Sequence, residues 1–98
     1  MKKKLFIISR EDDKALEIAL SSKRGDIFLL QDAVYYLIKN SKIVDRLRET
    51  VNTDKKIFAL ESEVIKRGIS EKLFAGVDLL TYDTFVDILF DGYTVINL

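Results

Sequence analysis

The stretch "GDIFLLQDAVYYL", residues 25–37, decides the fold. Ile27, Phe28, Leu29 and Leu30 form a short, fully apolar run, as expected of a strand buried on both faces of a parallel sheet. The chain then turns polar at Gln31 and Asp32 and becomes apolar again at helical spacing through Val34, Leu37 and Ile38. A buried strand therefore passes straight into a helical segment. The amide and carboxylate at the junction could hold a ligand, cap the helix, or do both.

The same alternation extends in both directions. Leu5 to Ser9 reads as the first strand, and Glu11, Asp12 and Asp13 open a helix where carboxylates meet the positive end of the helix dipole. Ala15, Leu16, Ala19 and Leu20 give that helix one apolar face, with Lys23 and Arg24 near its end and Gly25 closing it. Downstream, "KNSK" at 39–42 divides the second helical region, and Ile43, Val44, Leu47 and Val51 form the apolar stripe of its second part. Ile57 to Leu60 is the third strand, followed by a short helix from about Ser62 to Gly68 and a connecting fragment from Ile69 to Gly76. Val77 to Leu80 is the fourth strand and Tyr82 to Phe90 the last helix. Asp91 and Gly92 turn the chain, and Tyr93 to Leu98 alternates as a candidate fifth strand. Strands alternating with helices predict a single three-layer α/β/α domain over residues 1–98, with a mainly parallel sheet of four to five strands.

Composition removes many functions. The chain of 98 residues carries 16 basic and 16 acidic side chains, so no global field draws it to nucleic acid or an anionic membrane. It has no cysteine, hence no disulfide, persulfide, thiolate nucleophile or sulfur-ligated metal. It has no histidine, the commonest general base and metal ligand. "MKKKLFII" opens like a signal peptide, but its apolar run stops at Ser9, Arg10 and Glu11, short of the roughly seven apolar residues a signal needs. A cytoplasmic, soluble protein is expected, with no membrane partner.

Ligands of open α/β sheets sit beyond the carboxyl ends of the strands. Those ends are Ser9 to Asp13, Gln31 with Asp32, Glu61 with Ser62, and Thr81 to Asp83. All are polar, yet all are also helix N-termini, where Ser, Asp and Thr serve as caps. The four glycines form no phosphate loop. Glu11, Asp12, Asp13 and Glu61 invite comparison with a Mg²⁺-binding receiver switch, but the third strand runs into Glu61 instead of an aspartate, and the late "VDLLTYD" offers no lysine. Lys39, Lys42, Arg46, Arg48, Lys55 and Lys56 are interleaved with Asp45, Glu49 and Asp54, which reads as a solvated mixed-charge face more than an RNA-binding one. The last helix is richer in apolar residues than one stripe requires. Phe85, Ile88, Leu89 and Phe90, with Tyr93, Val95 and Ile96 beyond, form a candidate subunit interface; coverage by a final strand of the same chain is the alternative.

Taken together, "IFLLQDAV", "KIFALESEVIKRGIS" and "VDLLTYDTFVDIL" resemble the TusB/DsrH family of sulfur-relay proteins, members of the DsrE/F/H-like fold group. The residues that carry the resemblance are Gln31, Asp32, Ala33 and Val34; Ala59, Leu60, Glu61, Glu63, Arg67 and Gly68; and Tyr82 and Phe85. Ala33 replaces a usual glycine, the 39–56 segment is slightly longer, and "DGYTVINL" departs from the familiar tail. The resemblance implies a cytoplasmic, non-catalytic subunit without cofactor or metal. It implies DsrE/TusD-like and DsrF/TusC-like partners, or a homo-oligomer, in a relay supporting 2-thiolation of the tRNA wobble uridine. In that relay the sulfur-carrying cysteine belongs to the TusD-like partner, and direct tRNA contact by this chain is not expected. A stand-alone member lacking relay partners is the other outcome within the family.

Overall fold

A computed structural model describes residues 3–90 and 92–98. Its strands are β1 (Lys4–Ile8), β2 (Gly25–Leu29), β3 (Ile57–Leu60), β4 (Val77–Leu80) and β5 (Thr94–Asn97), joined in one sheet of order β4-β3-β2-β1-β5. Every neighbouring pair is parallel. The α-helices are α1 (Asp13–Ser21), α2 (Val44–Val51), α3 (Glu61–Lys66) and α4 (Tyr82–Phe90), with 3-10 turns at Gln31–Leu37 and Ser70–Lys72. The α/β class, the parallel sheet and the helical layers expected from sequence are all present.

Strand order explains the layers. From β1 to β4 each crossover steps in one direction across the sheet, so right-handed connections keep their helices on one face. The last crossover returns past β1 to its far side, and α4 accordingly lies on the opposite face. The first face holds Phe6, Ile8, Ile27, Leu29, Ile57 and Ala59 against residues of α1, the first 3-10 turn, α2 and α3. The second face holds Leu5, Phe28, Phe58 and Leu60, and among the described residues α4 is the only helix over it, through Phe85, Ile88 and Leu89. Phe28 is fully buried, with its ring centroid 4.3 Å from Phe85 and 6.2 Å from Phe58. Full burial of one such side chain contributes about 1.5–3 kcal/mol, so the central strand β2, buried along its whole length, anchors both layers.

Several boundaries differ from the sequence-based expectation. Gly25 does not close α1, which ends at Ser21. Instead Gly25 opens β2, where a Cβ would come within 2.5 Å of the Phe6 ring. The open carbonyls of α1 are met from a distance in sequence: Lys55 Nζ donates to Ala19 O at 2.8 Å and Ser22 O at 2.7 Å. Lys23 and Arg24 lie beyond the helix. Burial pushes the Lys55 ammonium below its ordinary value, against the attraction of nearby Asp26. The first part of the second helical region is a 3-10 turn instead of an α-helix, and the break at 39–42 separates it from α2 as expected.

Gly68 stands where the sequence placed a helix stop, and the geometry shows why. Its φ is +67°, its N–H donates to Ile65 O at 3.0 Å, and the N–H of Ile69 reaches Val64 O at 3.2 Å. These two bonds form a Schellman closure, completed by apolar burial of Val64 and Ile69.

The candidate fifth strand is a strand of this chain's own sheet, pairing in parallel with β1 from Lys4–Thr94 to Ile7–Asn97. Of the expected Asp-Gly turn, Asp91 lies outside the described residues, and Gly92 has φ +88°. The entry to β5 is pinned by Asp26, a carboxylate only 1% exposed that neither pattern nor motif had singled out. Tyr93 Oη donates to it, Lys56 N–H donates at 2.9 Å, and Lys3 Nζ lies 3.6 Å away. An acid buried this deeply requires such partners.

Candidate functional site

The carboxyl ends of the strands carry the polar residues that sequence selected, and most are occupied by the fold. Asp12 is the N-cap of α1, accepting from the N–H of Lys14 at 3.1 Å and of Ala15 at 3.2 Å. Asp13 accepts from Tyr36 Oη at 2.7 Å. Burial, that hydrogen bond and the charges of Asp13, Glu11 and Asp12 together raise the Tyr36 phenol well above its ordinary value. Thr81 caps α4, its hydroxyl accepting from Thr84 N–H at 3.2 Å. Among the described residues, no three carboxylates converge as metal ligands, so the receiver-type set Glu11, Asp12, Asp13 and Glu61 is not assembled.

Gln31 and Asp32 behave differently from simple caps. Gln31 is the only non-glycine residue at positive φ among the described residues, at +49°. A left-handed conformation costs about 1–2 kcal/mol for a residue with a side chain. Its side chain is exposed at the end of the central strand. Asp32 does not cap the 3-10 turn, whose N-cap position is Leu30 with no side-chain bond. Asp32 instead accepts from Arg67 Nη2 at 3.1 Å, while Arg67 Nη1 pairs with Glu63. Burial disfavours the Arg67 charge, but the two carboxylates outweigh it and raise the guanidinium above its ordinary value. The expected motif residues Asp32, Arg67 and Gly68 are thus one unit: Gly68 ends α3 so that Arg67 can span from Glu63 to the end of β2. Glu61 lies in the first turn of α3 and points to solvent.

A family model described as "DsrH like protein" matches residues 9–92. Protein TusB from Yersinia pestis (strain Pestoides F) is 33% identical over 76 residues, covering 78% of this chain and 77% of that protein. Protein TusB from Yersinia pseudotuberculosis serotype O:1b gives the same figures.

The chain belongs to the DsrH-like family.

Solved structures support the fold at lower identity. A protein of unknown function from Methanobacterium thermoautotrophicum superposes with a TM-score of 0.82 at 16% identity, covering 100% of both chains. The ychN protein from E. coli gives 0.77 at 20% identity, covering 98% of this chain and 99% of that one.

The second group of motif residues in this DsrH-like chain lies on α4. Tyr82 meets Phe85 edge-on at 6.3 Å, and Phe85 is seated on Phe28. Of the residues marked as a candidate interface, Phe85, Ile88, Leu89 and Tyr93 are partly buried against the second face, and Ile96 against the first. Phe90 and Val95 remain exposed, Phe90 at 86%. The strand β5 does not cover α4; it extends the sheet beside β1.

Clefts open near both ends of the strands. One of about 490 Å³ is lined by Glu11, Asp13, Tyr35, Tyr36, Ser41 and Lys42, among others. A larger one of about 780 Å³, at the opposite end of the strands, includes Lys3, Arg46 and Lys55. These three cations already have partners: Arg46 pairs with Glu17, Lys55 holds α1, and Lys3 donates to Asp54 O at 3.2 Å. Arg48 pairs with Asp45 at 3.2 Å, in keeping with a mixed-charge face. Among the described residues, no helix is long and apolar enough to cross a membrane.

Proposed function

We propose that this DsrH-like chain is a non-catalytic subunit of a cytoplasmic sulfur-relay assembly. It works beside cysteine-bearing DsrE/TusD-like and DsrF/TusC-like subunits, and the relay supports 2-thiolation of the tRNA wobble uridine. One observation carries the proposal: a chain of this family with no cysteine anywhere in its 98 residues. Sulfane sulfur travels on thiolates, so this chain's part is to shape or shield a site whose sulfur is held by a neighbour. Two features suit that part. Gln31 offers an exposed amide, with donors and an acceptor, on a constrained backbone beside the Asp32–Arg67 pair. The thinly covered second face leaves apolar side chains of α4 available to a neighbouring subunit.

Affinity purification of the tagged chain from native lysate, followed by mass spectrometry, tests the assignment. Stoichiometric recovery of cysteine-bearing DsrE- or DsrF-like chains is expected. A chain that returns alone at native expression contradicts it.

A further inference from the structure

The charges are distributed unevenly along the chain. All 16 lysines and arginines lie between Lys2 and Lys72, whereas residues 77–98 contain four aspartates and no basic residue. The neutral total conceals an acidic carboxyl-terminal segment. Among the described residues, that segment also holds four of the six exposed large apolar side chains: Leu79, Tyr82, Phe90 and Val95.

On α4 the two properties coincide. Phe85, Ile88 and Leu89 turn toward the sheet. At 100° per residue the outward side then carries Asp83, Asp87 and Phe90, with Tyr82 and Val86 on its shoulder. Phe90 is 86% exposed and Tyr82 66%, and both aspartates are exposed. Among the described residues, no cation lies within ion-pairing distance of Asp83 or Asp87. The chain's other acids are often paired: Glu17, Asp26, Asp32, Asp45 and Glu63 all have a lysine or arginine beside them. An exposed aromatic flanked by two uncompensated carboxylates is a patch with a definite complement.

We propose that the outer side of α4 docks a partner protein presenting an apolar patch rimmed by lysine or arginine. This deepens the subunit assignment above and rests on its use of α4 as an interface. Opposite charges at the rim steer encounter and fix register, while the aromatic centre supplies the dry contact. The same patch does not suit a second copy of itself. A two-fold interface sets identical surfaces face to face, and here both would bring carboxylates and neither a cation, which disfavours pairing. The occupant we assign is therefore a different chain.

The test uses the isotopically labelled full chain and two synthetic amphipathic helical peptides, one with leucine and lysine faces and one with leucine and glutamate faces. The lysine peptide should shift the amides of Tyr82 to Phe90 saturably, and the glutamate peptide should leave them unchanged. Asp83→Asn with Asp87→Asn should weaken the lysine peptide by about tenfold and reduce its salt dependence. Shifts that map elsewhere, equal response to both peptides, or no response at α4 overturn the proposal. Failure of the subunit assignment looks different. A chain that binds the lysine peptide at α4 but recovers no cysteine-bearing subunit contradicts the relay alone. A chain that assembles with those subunits indifferently to Asp83 and Asp87 contradicts this inference alone.

Discussion

Arg67 reaches across 35 positions of sequence to donate to Asp32 at 3.1 Å, joining the last turn of α3 to the exit of β2. The same guanidinium holds Glu63 one turn back on its own helix. One side chain thus ties the end of α3 to the turn that leaves β2, beside the left-handed Gln31.

If Arg67 is shared in this way, its partners are not independent. Asp32→Ala and Arg67→Ala should each lower the Tm, and the double variant should lose less than the sum of the two. Thermal unfolding of the four proteins measures the coupling. Strict additivity would show that the pair does not operate in solution.

Two of the left-handed positions, Gln31 and Gly68, should respond oppositely to substitution. Gln31→Gly relieves a left-handed penalty at the cost of added chain entropy, a net gain of about 0.5–1 kcal/mol. Gly68→Ala imposes the penalty, although a Cβ there meets nothing within 4 Å, so a loss of about 1–2 kcal/mol is expected. Urea denaturation decides both, and a stabilising Gly68→Ala would contradict the closure described for α3.

Helix α4 offers an internal control. Phe85→Ala removes a ring seated on Phe28 and should cost about 2–3 kcal/mol, below the full-burial range because the site is part-exposed. Phe90→Ala touches an exposed side chain and should change stability by less than about 0.5 kcal/mol. Equal losses would mean that Phe90 is packed and unavailable to a partner.

Alkaline pH should expose the Tyr36–Asp13 bond. The folded-state value of Tyr36 lies above its unfolded value of 10.0. Its contribution is therefore complete below that value, and stability is lost as pH climbs from there toward the folded value. Phenolate absorbance should contain a late-titrating component, and Tyr36→Phe should remove it and flatten the alkaline stability slope. A late component that survives Tyr36→Phe would contradict the assignment.

Much of the fold was legible in the sequence because its strands are short and uninterrupted. Ile57–Leu60 and Val77–Leu80 stand between polar turns, and Tyr82–Phe90 has a capping threonine before it, so pattern and structure coincide there. Gly25 was misplaced because a glycine after a helix resembles a C′ residue, while its real constraint is the Phe6 ring on a neighbouring strand. For the same reason Asp26 escaped notice, and Lys55 reads from sequence as part of a solvated mixed-charge face when it in fact closes α1. Each is defined by partners far away in sequence, and no local pattern carries that information. Asp32 was legible as a motif residue but not as the partner of Arg67, since capping and ion pairing demand the same side chain. The resemblance grouped Asp32, Arg67 and Gly68 as a signature, and the structure supplies their physical connection.

The central claim concerns where sulfur resides. Co-expressing the chain with any cysteine-bearing subunit recovered with it, loading the mixture with labelled persulfide sulfur and separating the chains without reductant would locate the label directly. All reducible label is expected on a cysteine-bearing partner and none on this chain. Reducible sulfur covalently attached to this chain, or transfer by the purified chain alone, would contradict the account.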